Sequence, residues 1–551
     1  MRGAPDPTDD PNDALERLAP FAALGLVFVG FVLRLRGLSE YWLNPDEGIY
    51  YSTLTRAAFG DFWAEVAANA HPPAYYLLLR AVGSLTWDFV WLRALSLICG
   101  AAAVWVFWLV GRELGGRGRA GVVAGLVAAG LLAVSREAIV LSQVLRPYML
   151  LLALLAFALL HLLRYRSQPT DRNLAAYVTL ASLAALVHYS AALALGAFVA
   201  LVAYFGLAAR VSPERWRRLA LAQAIPLAVV AALYVQHLGA AFESDLVGDA
   251  LQPGGWLSDW LVASPADAWD SLVAFQIFHL PLGFQGRTAL LLLAAIAASA
   301  VTTDRIVAVL TAAALLVALL ASVLDLYPFG PSRHNTWLVA FTLPSLAWLA
   351  GRLAAAGWRA GLAGSAAVIV LLAFGAPLER ALGTPLLRTN ETEEMLILRG
   401  DLAPLVVDQL DPDGGPRLIL MSEQTYNLLM PLYAREREDV VVATDSTLYS
   451  FPYGARRVIV ARRWDWNGLE DVRDVVRGLT ATLPAIVPSS DASLLLLAGG
   501  WDSTVFARAS ELRERGVILG GTLVFGPAPS GGRTLRLASM VLDWRLLTEE
   551  P

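Results

Sequence analysis

Apolar residues run in long blocks from residue 19 to residue 377, among them GAAAVWVFWLV and LLALLAFALL. Each block is near the roughly 20 residues that carry a helix across a bilayer. The pattern predicts about 11 transmembrane helices, at 18–38, 90–111, 119–136, 147–164, 173–188, 190–209, 216–237, 288–303, 306–325, 335–352 and 360–377. The apolar stretch 72–86 (PPAYYLLLRAVGSLT) is short, opens on Pro-Pro and contains Arg80. It is expected to lie at the outer membrane surface or to dip in and return. After residue 378 the period changes. RLILM, DVVVAT, RRVIVA, SLLLLAG and VILGGTLVFG read as strands, and TYNLLMPLYARE and STVFARASELRER as helices between them. That alternation predicts an α/β domain. Three regions follow: a disordered cytoplasmic tail at 1–17, a polytopic α-helical membrane domain at 18–377 and a C-terminal α/β domain at 378–551.

Arginine orients the spans, because short cytoplasmic loops collect positive charge. Arg112, Arg117 and Arg119 form one cluster, Arg164, Arg166 and Arg172 a second, and Arg210, Arg215, Arg217 and Arg218 a third. Arg305, and then Arg352 with Arg359, mark two smaller ones. Placing all five inside puts the N-terminus in the cytoplasm and the α/β domain outside a cell inner or plasma membrane. The N-terminal MRGAPDPTDDPNDALER is acidic and lacks the basic region of a signal peptide.

Composition agrees. Of 551 residues, 57% are hydrophobic and 16% charged, against roughly 25% charged in soluble domains. A net charge of −5 gives no reason to expect a nucleic-acid partner. Cys99 is the single cysteine, so internal disulfides and cysteine metal clusters are excluded. Residues 378–551 contain no GxGxxG or P-loop to hold a nucleotide.

In this topology the unusual polar residues fall on the outer face. LNPDEGIYY carries Asp46 and Glu47, and HPPAYY carries His71. SREAIVLSQVLRPY carries Arg136, Glu137, Gln143, Arg146 and Tyr148. His188 and Tyr189 mark a turn, and LYPFGPSRHN carries Arg333 and His334. Taken singly, each has an ordinary reading. An acidic pair is commonly solvated or helix-capping, HPP starts helices, and arginines snorkel to headgroups. Their convergence on one face is harder to dismiss, because ionisable groups at membrane depth are costly.

These segments resemble the GT-C superfamily of integral-membrane glycosyltransferases. The likeness is greatest to bacterial protein O-mannosyltransferase-like and lipopolysaccharide or lipid A glycosyltransferases. DEGIYY followed by HPPAYYLLLR, LSQVLRPYMLLLALL, LVHYSAALAL and YPFGPSRHNTWLVAFTLP match in order and spacing over residues 20–350. Three positions depart, one of them Leu145 in place of Ala. Val144 stands where many relatives have Glu, so that role is absent here or moved to a residue such as Glu137. Val187 replaces a Thr before His188.

The resemblance implies the GT-C fold and transfer of a sugar from a polyprenyl-phosphate donor to a hydroxyl acceptor, on the external face and with inversion. It makes Asp46 the base and Glu47 its neighbour. The chemistry fits the residues. Inverting displacement needs one carboxylate to take the acceptor proton. The leaving lipid phosphate suits the guanidinium fork of Arg146 and Arg333. His71, Gln143, Tyr148, His188, Tyr189 and His334 complete the expected substrate site. Asp46, Glu47 and His71 could hold a divalent cation, Mg²⁺, Mn²⁺ or Zn²⁺, although the sequence requires none. Two other readings stay open: a transporter or flippase of envelope precursors, which would show broken helices at midplane, and a non-catalytic GT-C relative.

Overall fold

The computed structural model describes residues 11–55, 58–69, 71–208, 210–238, 258–279, 287–356, 397, 399–433, 441–442, 448–461, 469–482, 493–525 and 535–548. The chain divides into two compact units. One comprises the described parts of 1–36, 64–82 and 93–387, the other those of 37–63, 83–92 and 388–551.

The first twelve helices are α1 (Pro11–Leu35), α2 (Pro45–Leu54), α3 (Phe59–Ala68), α4 (Pro73–Gly83), α5 (Phe89–Gly115), α6 (Arg119–Val134), α7 (Arg136–Ser142), α8 (Tyr148–Ser167), α9 (Asp171–Val187), α10 (Ala191–Leu207), α11 (Pro213–Ala222) and α12 (Ala224–Leu233). α2 lies in the second unit; apart from parts of α3, α4 and α5, the other helices named, with those at Pro265–His279, Arg287–Ala300, Ile306–Val323 and Thr336–Ala355, lie in the first unit. Its core is aromatic and aliphatic, with Phe107, Leu155, Phe198, Leu310 and Trp337 fully buried. Phe21, Phe28, Ile225 and Leu316 stay exposed on the outside, as lipid-facing side chains do.

Among the described residues, six helices are long and apolar enough to cross a membrane, or seven if the bent pair α6–α7 counts as one span. This is fewer than the expected 11. α9 and α10 are 17 residues each and Arg287–Ala300 is 14, so the longer two extend about 26 Å against a hydrocarbon core of about 30 Å. Hydropathy blocks had absorbed their flanking loops. The span expected at 360–377 lies outside the described residues. α4, at 11 residues, is about 16 Å long and too short to cross. Residues 11–17 form the first turns of α1, where Glu16 accepts from the Gly118 amide at 2.7 Å.

Among the described residues, the second unit is built on a seven-stranded mixed sheet. Its strands are β1 (Leu418–Ser422), β2 (Val441–Val442), β3 (Leu448–Tyr453), β4 (Arg456–Ala461), β5 (Ser493–Trp501), β6 (Leu523–Phe525) and β7 (Leu535–Asp543), in spatial order β2-β3-β4-β1-β5-β7-β6. β1 runs parallel to β4 and β5, with Leu418 opposite Arg457 and Leu494. Leu418–Met421 are buried throughout, the pattern of a strand covered on both faces. Helices Glu423–Tyr433, Leu469–Thr482 and Asp502–Glu514 follow β1, β4 and β5.

Residues 40–54 belong to this unit through specific contacts. The Trp42 amide donates to Ile397 O at 2.9 Å, and its indole N–H donates to Leu428 O at 2.6 Å. The Arg399 amide donates to Glu40 O at 2.9 Å, while its guanidinium lies 4.9 Å over the Phe89 ring. α2 packs so tightly on Glu423–Tyr433 that a Cβ on Gly48 would come 2.1 Å from Asn427 O. Only glycine allows that approach.

Gly48→Ala is therefore expected to cost about 1–3 kcal/mol as an overpacked contact, read as a lower melting temperature. A reporter fused at Gly116 should read as cytoplasmic, because α5, α8 and Thr336–Ala355 all end near Arg-rich turns. An external reading would reverse the orientation.

Candidate functional site

The second unit carries the acid pair. Asn44-Pro45-Asp46-Glu47 is a capping box at the start of α2. The Glu47 amide donates to Asn44 Oδ1 at 2.9 Å, and the Asn44 amide donates back to Glu47 Oε2 at 3.1 Å. Proline occupies the first helical position, where its missing N–H is harmless. Glu47 is fully buried and holds the helix start, whereas Asp46 is half-buried in the first turn. Two adjacent carboxylates thus have different surroundings. The helix N-terminus favours negative charge at both.

The first unit gathers the other predicted residues. Tyr148 opens α8 behind Pro147. Its ring centroid lies 5.2 Å from that of His188 and 6.1 Å, edge-on, from His334. His188 lies 5.8 Å from His71 and 6.4 Å from His334. The Arg146 guanidinium sits 5.5 Å over the Tyr148 ring and donates to its hydroxyl at 3.2 Å. Arg146 and Arg333 are 5% and 8% exposed. Three imidazoles, a phenol and two guanidiniums therefore share one end of the helical unit.

Backbone chemistry fixes this arrangement. The Ser190 amide and hydroxyl both point at His188 Nδ1, at 3.2 and 2.9 Å. Nδ1 is the acceptor, so the proton sits on Nε2. Nε2 has no hydrogen-bond partner and is a donor in hand for a ligand. The His334 turn is pinned by its amide donating to Ser332 Oγ at 3.2 Å and by Tyr327 donating to His334 O at 3.0 Å. Tyr75, from HPPAYY, bonds Ser96 Oγ at 3.1 Å, and Ser96 donates to Arg146 O at 3.1 Å.

Not every expected residue joins the cluster. The Gln143 amide nitrogen donates to Arg34 O at 2.9 Å and to Arg36 O, so that part of the side chain anchors the backbone. Tyr189 turns to His237, whose Nε2 meets Val66 O at 3.0 Å. Tyr327, His237 and Ser96 escaped the sequence reading, since a lone Tyr, His or Ser in an apolar stretch carries no spacing signal. Buried amide atoms without partners on Gln276 and Asn335 were equally invisible. Among the described residues, no three His, Cys, Asp or Glu side chains gather to hold a metal ion.

A cavity of about 240 Å³ opens at the far end of α8, lined by Glu113, Arg166, Asp304, Trp348 and Arg352. Arg166 and Asp304 pair there at 2.6 Å, and none of the imidazole cluster reaches it. The 20 residues of α8 separate the two ends by about 30 Å.

His71 is partly accessible at its surface, but its ring lies in the cluster. Burial first, and then the Arg146 cation, hold the imidazole well below its ordinary value of 6.5. A lowered folded-state value means a contribution fully present above the unfolded value and lost as the pH falls below it. Between pH 7.5 and 5.5, wild-type protein should therefore lose more thermal stability than His71→Gln.

No model of a known protein family matches the sequence, and no curated protein does. Solved structures do match. ArnT from Cupriavidus metallidurans bound to undecaprenyl phosphate is 14% identical, with a TM-score of 0.50 over 96% of this chain and 99% of that one. The same protein in the apo state gives 15%, 0.50, 97% and 100%. The Archaeoglobus fulgidus oligosaccharyltransferase tethered to an acceptor peptide is 12% identical, with a TM-score of 0.45 over 93% and 74%. These structures are GT-C glycosyltransferases. The agreement with ArnT runs over nearly all of both chains, and the protein has the fold of the integral-membrane GT-C glycosyltransferases.

Proposed function

We propose that this protein transfers a sugar from a polyprenyl-phosphate donor to a hydroxyl acceptor, by inverting single displacement on the extracytoplasmic face. The observation that carries this reading is the gathering of Arg146, His188 and His334 around Tyr148 at one end of the helical unit, with His71 beside His188 and Arg333 next to His334 in the chain. In such a transfer, charge grows on the departing lipid phosphate. Guanidinium forks match phosphate oxygens, and charge-assisted bonds are about twice as strong as neutral ones. The His188 Nε2–H adds a neutral donor. ArnT, a fold relative, was solved with undecaprenyl phosphate, which supports a lipid phosphate as ligand here.

Asp46 takes the acceptor proton in this proposal. Asp46 is half-buried in the first turn of α2, and Glu47 is fully buried with its carboxylate bonded to the Asn44 amide. Glu47 then serves by fixing the helix that presents Asp46. The leaving group departs as a phosphate anion, so no separate acid is required of the protein. The donor's isoprenoid tail would lie against apolar helix faces.

The test is incubation of purified protein with a panel of polyprenyl-phosphate sugars and a hydroxyl acceptor. Transfer or donor hydrolysis is expected with at least one. Asp46→Asn should abolish transfer at an unchanged melting temperature, and Arg146→Ala should slow it by about 10²-fold. Solute uptake into proteoliposomes without sugar transfer would replace this reading with a transporter. Normal turnover by Asp46→Asn would remove the base assignment.

A further inference from the structure

A fully buried arginine lies in the first unit away from the imidazole cluster. Arg34, near the end of α1, is 0% exposed. It faces the break between α6 and α7, where the axis bends by 61°. A helix end leaves carbonyls without intrahelical partners, and lipid offers no water to replace them. Arg34 supplies the donors. One terminal nitrogen donates to Ala133 O at 3.0 Å and Gly30 O at 2.9 Å, and the other to Leu132 O at 2.9 Å. Its Nε donates to Ser142 Oγ at 3.0 Å, at the end of α7. Ser142 Oγ in turn donates to Ala138 O at 2.5 Å.

The neighbouring backbone makes room for this. A Cβ on Gly100 would stand 2.1 Å from Ser142 Oγ and 2.9 Å from Arg34 Nε, and one on Gly30 would stand 3.1 Å from an Arg34 terminal nitrogen. The Arg34 carbonyl also receives Gln143 Nε2 at 2.9 Å. So α1 grips residues 142 and 143, four and three positions before Arg146. Ser96 holds the Arg146 carbonyl from the other side.

We infer that Arg34 is a positioning residue: it closes the broken span and, through Ser142 and Gln143, sets Arg146 where a lipid phosphate is bound. The inference rests on the phosphate role proposed for Arg146. Lysine cannot substitute, since a point ammonium does not bridge the three carbonyls and the hydroxyl that a planar fork reaches.

The experiment is a double-mutant cycle on full-length protein, read as affinity for undecaprenyl phosphate. Arg34→Lys should weaken binding at least 10-fold and lower the melting temperature, since buried carbonyls lose their donor. In an Arg146→Ala background the same substitution should have no further effect, because the path runs through Arg146. Gly100→Ala crowds the same junction while keeping Arg34 and should also weaken binding, so it carries the test where Arg34→Lys does not fold. Amide hydrogen exchange across 140–148 should quicken in both variants while β1 stays protected. Losses that multiply in the double variant, or unchanged binding and exchange in both single variants, would overturn the inference. If Arg146→Ala binds as wild type, or wild type does not bind, the phosphate reading falls and exchange across 140–148 alone decides whether Arg34 holds that segment.

Discussion

An interrupted helix inside a bilayer must find partners for its severed carbonyls. That constraint organises the helical unit. α6 ends at Val134, and Ser135 restarts the chain as the cap of α7, accepting from the Ala138 amide and donating to His279 O. The carbonyls on the α6 side are met by Arg34. A charge that is expensive to bury becomes tolerable because a helix C-terminus carries partial negative charge and acceptors in fixed places. Once the break is closed, the segment that follows has little freedom. It delivers Arg146 and Tyr148 to the head of α8, where His71, His188 and His334 approach from three other parts of the chain.

The acid pair is governed by the opposite helix end. At the start of α2 the free groups are amides, and Asn44 and Glu47 satisfy two of them reciprocally. Adjacent carboxylates are thereby separated in role. One is consumed by helix initiation, and the other is left half-accessible in the first turn. Side by side in the sequence they look equivalent. In the fold their positions, second and third in the helix, make them different.

Several features were legible in the sequence for physical reasons. Long apolar blocks announce helices, and β4 falls on RRVIVA because β-branched residues dominate it. β3 was hidden, since LYSFPY contains Pro452, which argues against a strand interior. β7 was hidden because Arg536 and Ser539 interrupt its apolar run, although both are buried. Arg146, Tyr148 and His188 stood out by type and motif. Gln143 stood out for the same reason, yet its amide nitrogen serves the backbone. Arg34 drew no notice, because an arginine at a span end is ordinarily a headgroup contact. Only three-dimensional placement shows that it points inward.

The way the chain is apportioned between its units has a separate consequence. The polypeptide passes from one unit to the other after residues 36, 63, 82, 92 and 387. The sheet unit is thus drawn from three separate stretches of the chain. Its Trp42, Gly48 and Phe89 contacts come from segments made long before β1 is synthesised. Those segments must wait for the C-terminal residues to acquire their partners. A truncation at residue 378 would leave α2 without the helix it packs on.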